Sequence, residues 1–359
     1  MTHCFSRRSF LKGSAAAAAA LTSPLLPADA AFSETENGLF SPVSVLCQTQ
    51  YGPVRGREGK NGLLCWYGIP YGAAPTGESR WTAPQEPACW LTVRDCTSPA
   101  PAAYQYTTFP LGTEDCLTLD IYSSAEAKKR PVLVYLHGSA ATGSSLELPG
   151  CELVRDAGCV FVALNYRLGL FGWNCLPALT ADPDATGNFA LLDIARALDW
   201  VRDNIASFGG DPQNITVLGF AAGGRDGMAL LASPLFVGRF QKAISISGGM
   251  TCADENTSAE TLAAALAPLA VQDGKALTEA AARRWLLTED PAVRSWLCGV
   301  DAARLAPLMA NAGFQMSVFP HLYADGITLP EGGYPAAPYS EIPTLLLTGA
   351  DEFNAAARW

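Results

Sequence analysis

The most informative run in the chain is Ile215-Thr216-Val217-Leu218-Gly219-Phe220-Ala221-Ala222-Gly223-Gly224. Its first four residues are typical of a buried strand, and its glycines and alanines allow a tight turn. The pattern of a helix rich in small residues then follows as far as Leu231. A strand that passes through such a turn into a helix is where one large class of hydrolytic enzymes presents a nucleophilic serine. In this chain Ala221 occupies that position.

Apolar runs and helical patterns alternate on both sides of this turn. Buried strands are predicted at residues 132–136, 160–164, 243–247 and 344–347, and an amphipathic helix is predicted at 188–208. This alternation predicts an α/β protein with a mostly parallel central sheet flanked by helices. Residues 258–311 are predicted to form a helical insertion. Residues 45–130, which are rich in Gly, Pro and Trp, are predicted to form an irregular N-terminal cap with short antiparallel strands.

The first 30 residues have the features of an export signal. Ser6-Arg7-Arg8-Ser9-Phe10-Leu11-Lys12 precedes an alanine-rich apolar run, and Ala28-Asp29-Ala30 resembles a cleavage site. The paired arginines predict the twin-arginine route, so residues 31–359 would form the mature domain in the periplasm or outside the cell. Polar residues and prolines interrupt the apolar run, which is shorter than the roughly 20 residues that span a bilayer. No membrane anchor is therefore expected.

The composition of the mature chain narrows its partners. Removing three basic residues and one acidic residue with the signal takes the formal net charge from −10 to −12. An acidic chain is repelled by nucleic acid and by anionic membranes, so neither is expected as a partner. The ten cysteines outside the signal are able to form disulfides in an oxidising compartment, and their pairing stays open. With no CxxC pair and only His3, His137 and His321, the chain is expected to hold no metal or other cofactor.

Five sequence blocks, in the same order, make the chain resemble the type B carboxylesterase family, which includes cholinesterase-like and para-nitrobenzyl esterase-like proteins. They are Gly68-Ile69-Pro70-Tyr71-Gly72, Glu114-Asp115-Cys116-Leu117, Asn165-Tyr166-Arg167-Leu168-Gly169, Gly187-Asn188 and Phe208-Gly209-Gly210-Asp211-Pro212-Gln213-Asn214-Ile215-Thr216. The resemblance covers nearly all of the mature length and implies an α/β-hydrolase fold. Because the family's sheet and helices continue further, the resemblance also implies a domain that is incomplete at its C-terminus.

The resemblance implies a site whose nucleophile position is vacated. The family's turn is Gly-Glu-Ser-Ala-Gly, so Phe220 replaces the glutamate and Ala221 replaces the serine. Residues 225–227 also depart from the family's small-residue and serine pattern. His137-Gly138-Ser139-Ala140 stands in place of the family's His-Gly-Gly-Gly loop, which implies an oxyanion hole formed by the backbone N–H groups of Ser139, Ala140 and Ala222. His137 itself is interpreted as a structural residue at a strand end.

The acid and the base of a serine triad are the other two positions that the resemblance addresses. It implies that Glu352 is the equivalent of the triad acid, and that the family's catalytic histidine, which follows that acid, is missing from this chain. His321 lies in a block that resembles a structural segment. Because loss of nucleophile or base from such a triad lowers kcat by about a million-fold, efficient ester hydrolysis is not expected.

Three functions stay open on these grounds. The chain is a catalytically impaired carboxylic ester hydrolase-like protein, a non-catalytic binding or adhesion-type member of the family, or a truncated remnant of an esterase gene. If the pocket is retained, we expect it to take a small ester or a related ligand. A binding-type member would also have a protein partner, which nothing in the sequence names.

Overall fold

The computed structural model describes residues 40–106, 109–138, 142–148, 150–182, 185–309 and 321–349. Its strands are β1 (Phe40–Thr49), β2 (Gly52–Gly59), β3 (Leu63–Pro70), β4 (Arg94–Asp95), β5 (Gln105–Tyr106), β6 (Pro110–Leu111), β7 (Thr118–Ser124), β8 (Arg130–Leu136), β9 (Val160–Leu164), β10 (Gly210–Phe220), β11 (Lys242–Ile246) and β12 (Thr344–Leu347). Its α-helices are α1 (Gly150–Ala157), α2 (Gly169–Gly172), α3 (Pro177–Thr180), α4 (Phe189–Asn204), α5 (Ala222–Ala232), α6 (Glu255–Gln272), α7 (Glu279–Leu286), α8 (Pro291–Gly299) and α9 (Ala302–Leu305).

One large mixed sheet runs through the described chain. Its order is β1-β2-β3-β7-β9-β8-β10-β11-β12, with β4 beside β2. Neighbours from β1 to β9 are antiparallel, whereas neighbours from β9 to β12 are parallel. This sheet and its flanking helices confirm the α/β-hydrolase type of fold. The N-terminal strands are antiparallel as predicted, but β1, β2, β3 and β7 extend the central sheet, so they do not form a separate cap.

The helical insertion is also present, as α6, α7, α8 and α9. Asp254 caps α6, because its side chain accepts a hydrogen bond from the N–H of Thr257. Thr278 and Asp290 cap α7 and α8 in the same way. Asp290-Pro291 is therefore the start of a helix, since proline fits the first helical position and the aspartate caps it.

The parallel register brings three loops to one edge of the sheet. Leu136 of β8 is paired with Gly219 of β10, and Phe220 of β10 is paired with Ile246 of β11. Parallel strands present their carboxyl ends at the same edge, so the segments after these three strands start side by side. The turn at Ala221 is therefore flanked by His137 on one side and by Ser247 on the other.

Asn188 ties the start of α4 to the segment before β12. Its amide group donates to the carbonyl of Tyr323 (2.8 Å) and to Oγ1 of Thr328 (2.6 Å), and its carbonyl accepts from the N–H of Tyr323 (2.8 Å). Asn188 is fully buried, so these bonds replace those that it loses to water. The Gly187-Asn188 block is thus a structural anchor for the chain around residues 323–328.

Arg167 and Asp193 form a buried ion pair that joins the loop after β9 to α4. Two hydrogen bonds link the guanidinium to the carboxylate, at 2.6 and 2.8 Å, and both side chains are buried. Arg167 also donates to the carbonyl of Arg80 (2.9 Å). Because the Arg167 guanidinium donates both to Asp193 and to the carbonyl of Arg80, the ion pair holds the Asn165–Gly169 block in place at the sheet edge.

The described part of the sheet ends at β12. Leu345 and Leu346 of this strand are 50% and 58% exposed. No helix in the described ranges is both long and apolar enough to cross a bilayer. The disulfides that the sequence suggested are not found among the ten described cysteines, which are Cys47, Cys65, Cys89, Cys96, Cys116, Cys151, Cys159, Cys175, Cys252 and Cys298.

We predict that Arg167→Met lowers the free energy of unfolding by about 3–5 kcal/mol, because it leaves the Asp193 carboxylate buried without its partner. Urea unfolding monitored by circular dichroism measures the change. Arg202→Met is the matched control, since it breaks a salt bridge of the same kind to Asp199 on the surface of α4. We expect the control to change stability by less than about 1 kcal/mol. Equal effects of the two variants would contradict the structural role of the buried pair.

Candidate functional site

Ala221 has the backbone geometry of a strained strand-to-helix turn. Its φ is 51° and its ψ is −111°, a conformation that L-residues with a side chain rarely adopt. Its N–H donates to the carbonyl of Ile246 (2.9 Å), and its carbonyl accepts from the N–H of Arg225 (2.9 Å). A non-glycine residue in such a region costs about 1–3 kcal/mol, and the surrounding hydrogen bonds hold it there.

The glycines around Ala221 are required by the close approach of backbone to backbone. A Cβ atom on Gly219 would lie 2.0 Å from the carbonyl oxygen of Gly223, and a Cβ atom on Gly223 would lie 2.2 Å from that of Leu136. Neither position has room for a side chain. The turn therefore has the tight strand-to-helix geometry that the sequence predicts, and it carries only the methyl group of Ala221 at its tip.

The backbone amide of Ala222, the predicted oxyanion donor, is engaged within the protein. Its N–H donates to the carbonyl of Gly138 at 3.3 Å. An oxyanion bound here would have to take this donor from Gly138. The other two predicted donors, Ser139 and Ala140, and the predicted acid Glu352 lie outside the described residues, so these three assignments stay predictions.

Glu147 places a carboxylate beside the same loop. The N–H of Gly138 donates to Oε2 (2.9 Å) and Oε1 (3.2 Å) of Glu147, and the hydroxyl of Tyr135 also bonds to this carboxylate. Burial raises the pKa of Glu147, against smaller lowering effects of the hydrogen bonds from Gly138 and Tyr135. Phe220 packs against Gly138 from the other side. Sequence reasoning did not single out Glu147, because nothing in Leu146-Glu147-Leu148 marks a site residue.

His137 is packed inside the protein at the end of β8. It is fully buried, and its ring stacks on Tyr166 with centroids 4.3 Å apart and planes parallel to within 1°. The hydroxyl of Tyr166 lies 3.2 Å from Oδ2 of Asp226, to which it donates, and 3.4 Å from the carbonyl of His137. The structural interpretation of His137 agrees with this packing.

Asp226 is a buried carboxyl group on the first turns of α5. Its Oδ2 accepts from Tyr166, whereas its Oδ1 has no hydrogen-bond partner among the described residues. Burial raises its pKa from 3.8 to about 7, against smaller lowering effects of Tyr166 and Arg225. Asp226 is therefore mostly a neutral acid in the folded chain below neutral pH.

Arg225 holds His321 beside the first turn of α5. A guanidinium Nη1–H donates to Nε2 of His321 at 2.5 Å, and the imidazole lies edge-on to Trp173 with centroids 5.9 Å apart. Since Arg225 is always a donor, Nε2 is the acceptor and carries no proton. The two residues are 96 positions apart, so no local pattern could have predicted this contact.

Comparison with known proteins gives a consistent family. The pattern described as "Carboxylesterase family" matches residues 43–280, and a twin-arginine translocation signal matches residues 4–24, which directs export to the periplasm or beyond. The chain is 41% identical over 239 residues to a para-nitrobenzyl esterase of Bacillus subtilis (strain 168), covering 63% of this chain and 48% of that protein. It is 35% identical over 254 residues to a fumonisin B1 esterase of Sphingopyxis macrogoltabida, covering 66% and 46%.

Solved structures agree with these relatives. A thermophilic para-nitrobenzyl esterase superposes with a TM-score of 0.72 at 34% identity, covering 86% of this chain and 63% of that one. A carboxylesterase of Geobacillus stearothermophilus superposes with a TM-score of 0.71 at 33% identity, covering 87% and 63%. The chain spans about half the length of the curated relatives that it matches.

We predict that Asp226→Asn removes a pH-dependent loss of stability. The unfolded chain ionises Asp226 near pH 3.8 and the folded chain near pH 7, so the wild-type chain loses stability from this group as the pH rises from about 4 to 7. Above pH 7 the variant should be more stable than the wild type by up to about 4 kcal/mol, and near pH 3 the two should be equal.

Urea unfolding between pH 4 and 8 tests this prediction. Asp182→Asn is the matched control, because Asp182 is exposed and its side chain makes no hydrogen bond or ion pair within the described residues. The control should keep the pH dependence of the wild type. A stability difference between Asp226→Asn and wild type that is the same at pH 4 and pH 8 would contradict the prediction.

Proposed function

Because this chain belongs to the carboxylesterase family and carries a methyl group at the nucleophile position, we propose that it is an exported ligand-binding protein without serine-esterase turnover. The observation that carries the proposal is Ala221 at the tip of an otherwise complete turn. A serine mechanism begins with attack by an activated hydroxyl on the acyl carbon, and an alanine side chain has no such group.

The surroundings of Ala221 support the same conclusion. The N–H of Ala222 donates to the carbonyl of Gly138. The N–H of Gly138 in turn donates to the Glu147 carboxylate. Efficient oxyanion stabilisation needs preorganised donors and a positive local field, whereas a nearby carboxylate opposes a developing negative charge. This site is therefore poorly suited to an acyl-transfer transition state.

The two described histidines do not supply a general base. The ring of His137 is buried against Tyr166, and Nε2 of His321 is already occupied as an acceptor of Arg225. A general base must lie within hydrogen-bond reach of the nucleophile with a free lone pair. Glu352 as the acid equivalent, and Ser139 and Ala140 as oxyanion donors, remain part of the proposal as positions inherited from an esterase ancestor.

The retained strain favours a binding role over a decayed gene. Holding Ala221 at positive φ costs about 1–3 kcal/mol, and the glycines at 219 and 223 permit this turn only because their side chains are absent. The relatives named above are esterases, so we propose that the ligand is about as large as a small ester and binds at the turn. The adhesion-type alternative would need a protein partner for this face.

We predict that the mature chain, residues 31–359, does not hydrolyse p-nitrophenyl acetate above the buffer rate, and that a fluorophosphonate probe does not label it. The physical reason is that Ala221 offers no nucleophile. Ala221→Ser should stay within about tenfold of background, because a serine without a positioned base is a weak nucleophile. Turnover by the wild-type chain at the rate of a para-nitrobenzyl esterase assayed alongside would refute the proposal.

We also predict one cooperative thermal unfolding transition for the same chain, seen together in far-UV and near-UV circular dichroism. A domain built around one continuous sheet unfolds as a unit, so both probes should give the same midpoint. A native far-UV signal without a near-UV signal would indicate secondary structure without fixed side-chain packing, and it would favour the gene-remnant alternative.

A further inference from the structure

Arg225 is a cation that forms no salt bridge with any described residue. Its guanidinium donates to the neutral acceptor His321, and none of the salt bridges among the described residues includes it. Arg225 is half-buried on the first turn of α5, four residues after Ala221. A guanidinium has five N–H donors, so one contact with an imidazole leaves most of them available.

Two buried polar atoms beside Arg225 also lack partners. Oδ1 of Asp226 and the hydroxyl of Tyr334 make no hydrogen bond with any described residue, although their side chains are 0% and 5% exposed respectively. Tyr334 interacts electrostatically with both Arg225 and Asp226, so the three groups form one cluster. Buried polar atoms are nearly always hydrogen-bonded, and two adjacent exceptions indicate a missing partner.

The loop after β11 lies against the cluster. Gly249 lies against the guanidinium, because a Cβ atom built on it would be 3.5 Å from Nε and Nη2 of Arg225. The next residue, Met250, is 47% exposed, and Cys252 is half-buried beside Tyr334. Arg225 lies on the first turn of α5, so its guanidinium would be close to a small ligand bound at Ala221.

We propose that Arg225, Tyr334 and Asp226 form a site for the carboxylate of a small organic acid. This inference rests on the proposed function, since it names the ligand class of a binding protein. The carboxylate accepts from the free edge of the Arg225 guanidinium and from the Tyr334 hydroxyl. The planar fork of arginine matches a carboxylate, and the adjacent Asp226 would repel a doubly charged phosphate.

Asp226 makes the affinity of this site depend on pH. The groups that face it are Tyr166 from the loop after β9, Tyr334 from the segment before β12, and Arg225 on its own helix, with Glu147 beyond Tyr166. Burial raises the pKa of Asp226 to about 7. Below that pH its carboxyl is neutral and Oδ1 is able to share a proton with the bound carboxylate, whereas above it the two negative charges repel each other.

The experiment uses 4-nitrobenzoate as the probe and isothermal titration calorimetry as the measurement. For the mature wild-type chain we expect binding about tenfold tighter at pH 6 than at pH 8, the ratio for one linked proton with a pKa near 7. The neutral 4-nitrobenzamide should bind at least about tenfold more weakly than the carboxylate at pH 6.

Variants separate the site from general charge. Arg225→Met should weaken 4-nitrobenzoate binding at pH 6 by about 10–100-fold, the usual range for a charged hydrogen-bonding partner. Arg55→Met is the matched control, since it removes the same charge from exposed Arg55 of β2, near the far edge of the sheet, and should change nothing. Asp226→Asn should make the affinities at pH 6 and pH 8 equal. If Arg225→Met fails to fold, Arg225→Lys should still weaken binding several-fold by losing the planar fork.

Two results would overturn the site: unchanged binding by a folded Arg225 variant, or equal binding of the acid and the amide. The outcome is separable from that of the proposed function, which is decided by p-nitrophenyl acetate turnover. A chain that hydrolyses no ester but binds the amide as well as the acid keeps the proposed function and loses this inference. A chain that hydrolyses the ester loses the proposed function, whatever its affinity for 4-nitrobenzoate.

Discussion

The contact of backbone with backbone at Gly219 and Gly223 is the constraint on which the rest of the site depends. The first turn of α5 lies so close to the ends of β8 and β10 that no Cβ atom fits at either glycine. Ala221, at positive φ, lies between these two glycines, and Arg225 and Asp226 follow on the first turns of the helix. A larger residue at either glycine would move all of these groups together.

The sequence alone predicts the strands and turns that a local pattern encodes. The apolar runs gave β8, β9, β10, β11 and β12, and the small residues at 219–224 gave the turn. It could not recover contacts between distant segments. Glu147 carries no periodic signal, and His321 meets Arg225 across 96 residues. The N-terminal strands were predicted as a cap because their Gly and Pro residues obscure the alternation of buried and exposed positions that marks a strand of the central sheet.

The charged groups around Ala221 include two carboxyl groups, whereas a site that stabilises an anion presents hydrogen-bond donors and positive charge. Glu147 accepts a hydrogen bond from the N–H of Gly138, and Asp226 is buried in α5. Burial raises the pKa of both carboxyl groups. Arg225 is the cation nearest in sequence to Ala221, and it is held by a neutral imidazole. Under the proposed function, an Ala221→Ser substitution would add a hydroxyl but would leave these charged groups in place.

The burial of the cysteines also determines how the mature chain behaves towards oxidants outside the cytoplasm. Burial raises the pKa of Cys96 and of Cys175 to about 12, and that of Cys47 and of Cys159 to about 11. At neutral pH a thiol with a pKa of 12 is a thiolate in about one molecule in a hundred thousand, and only the thiolate reacts with disulfides. The exposed Cys89 is therefore the sulfur through which oxidation or a mixed disulfide would first reach this protein.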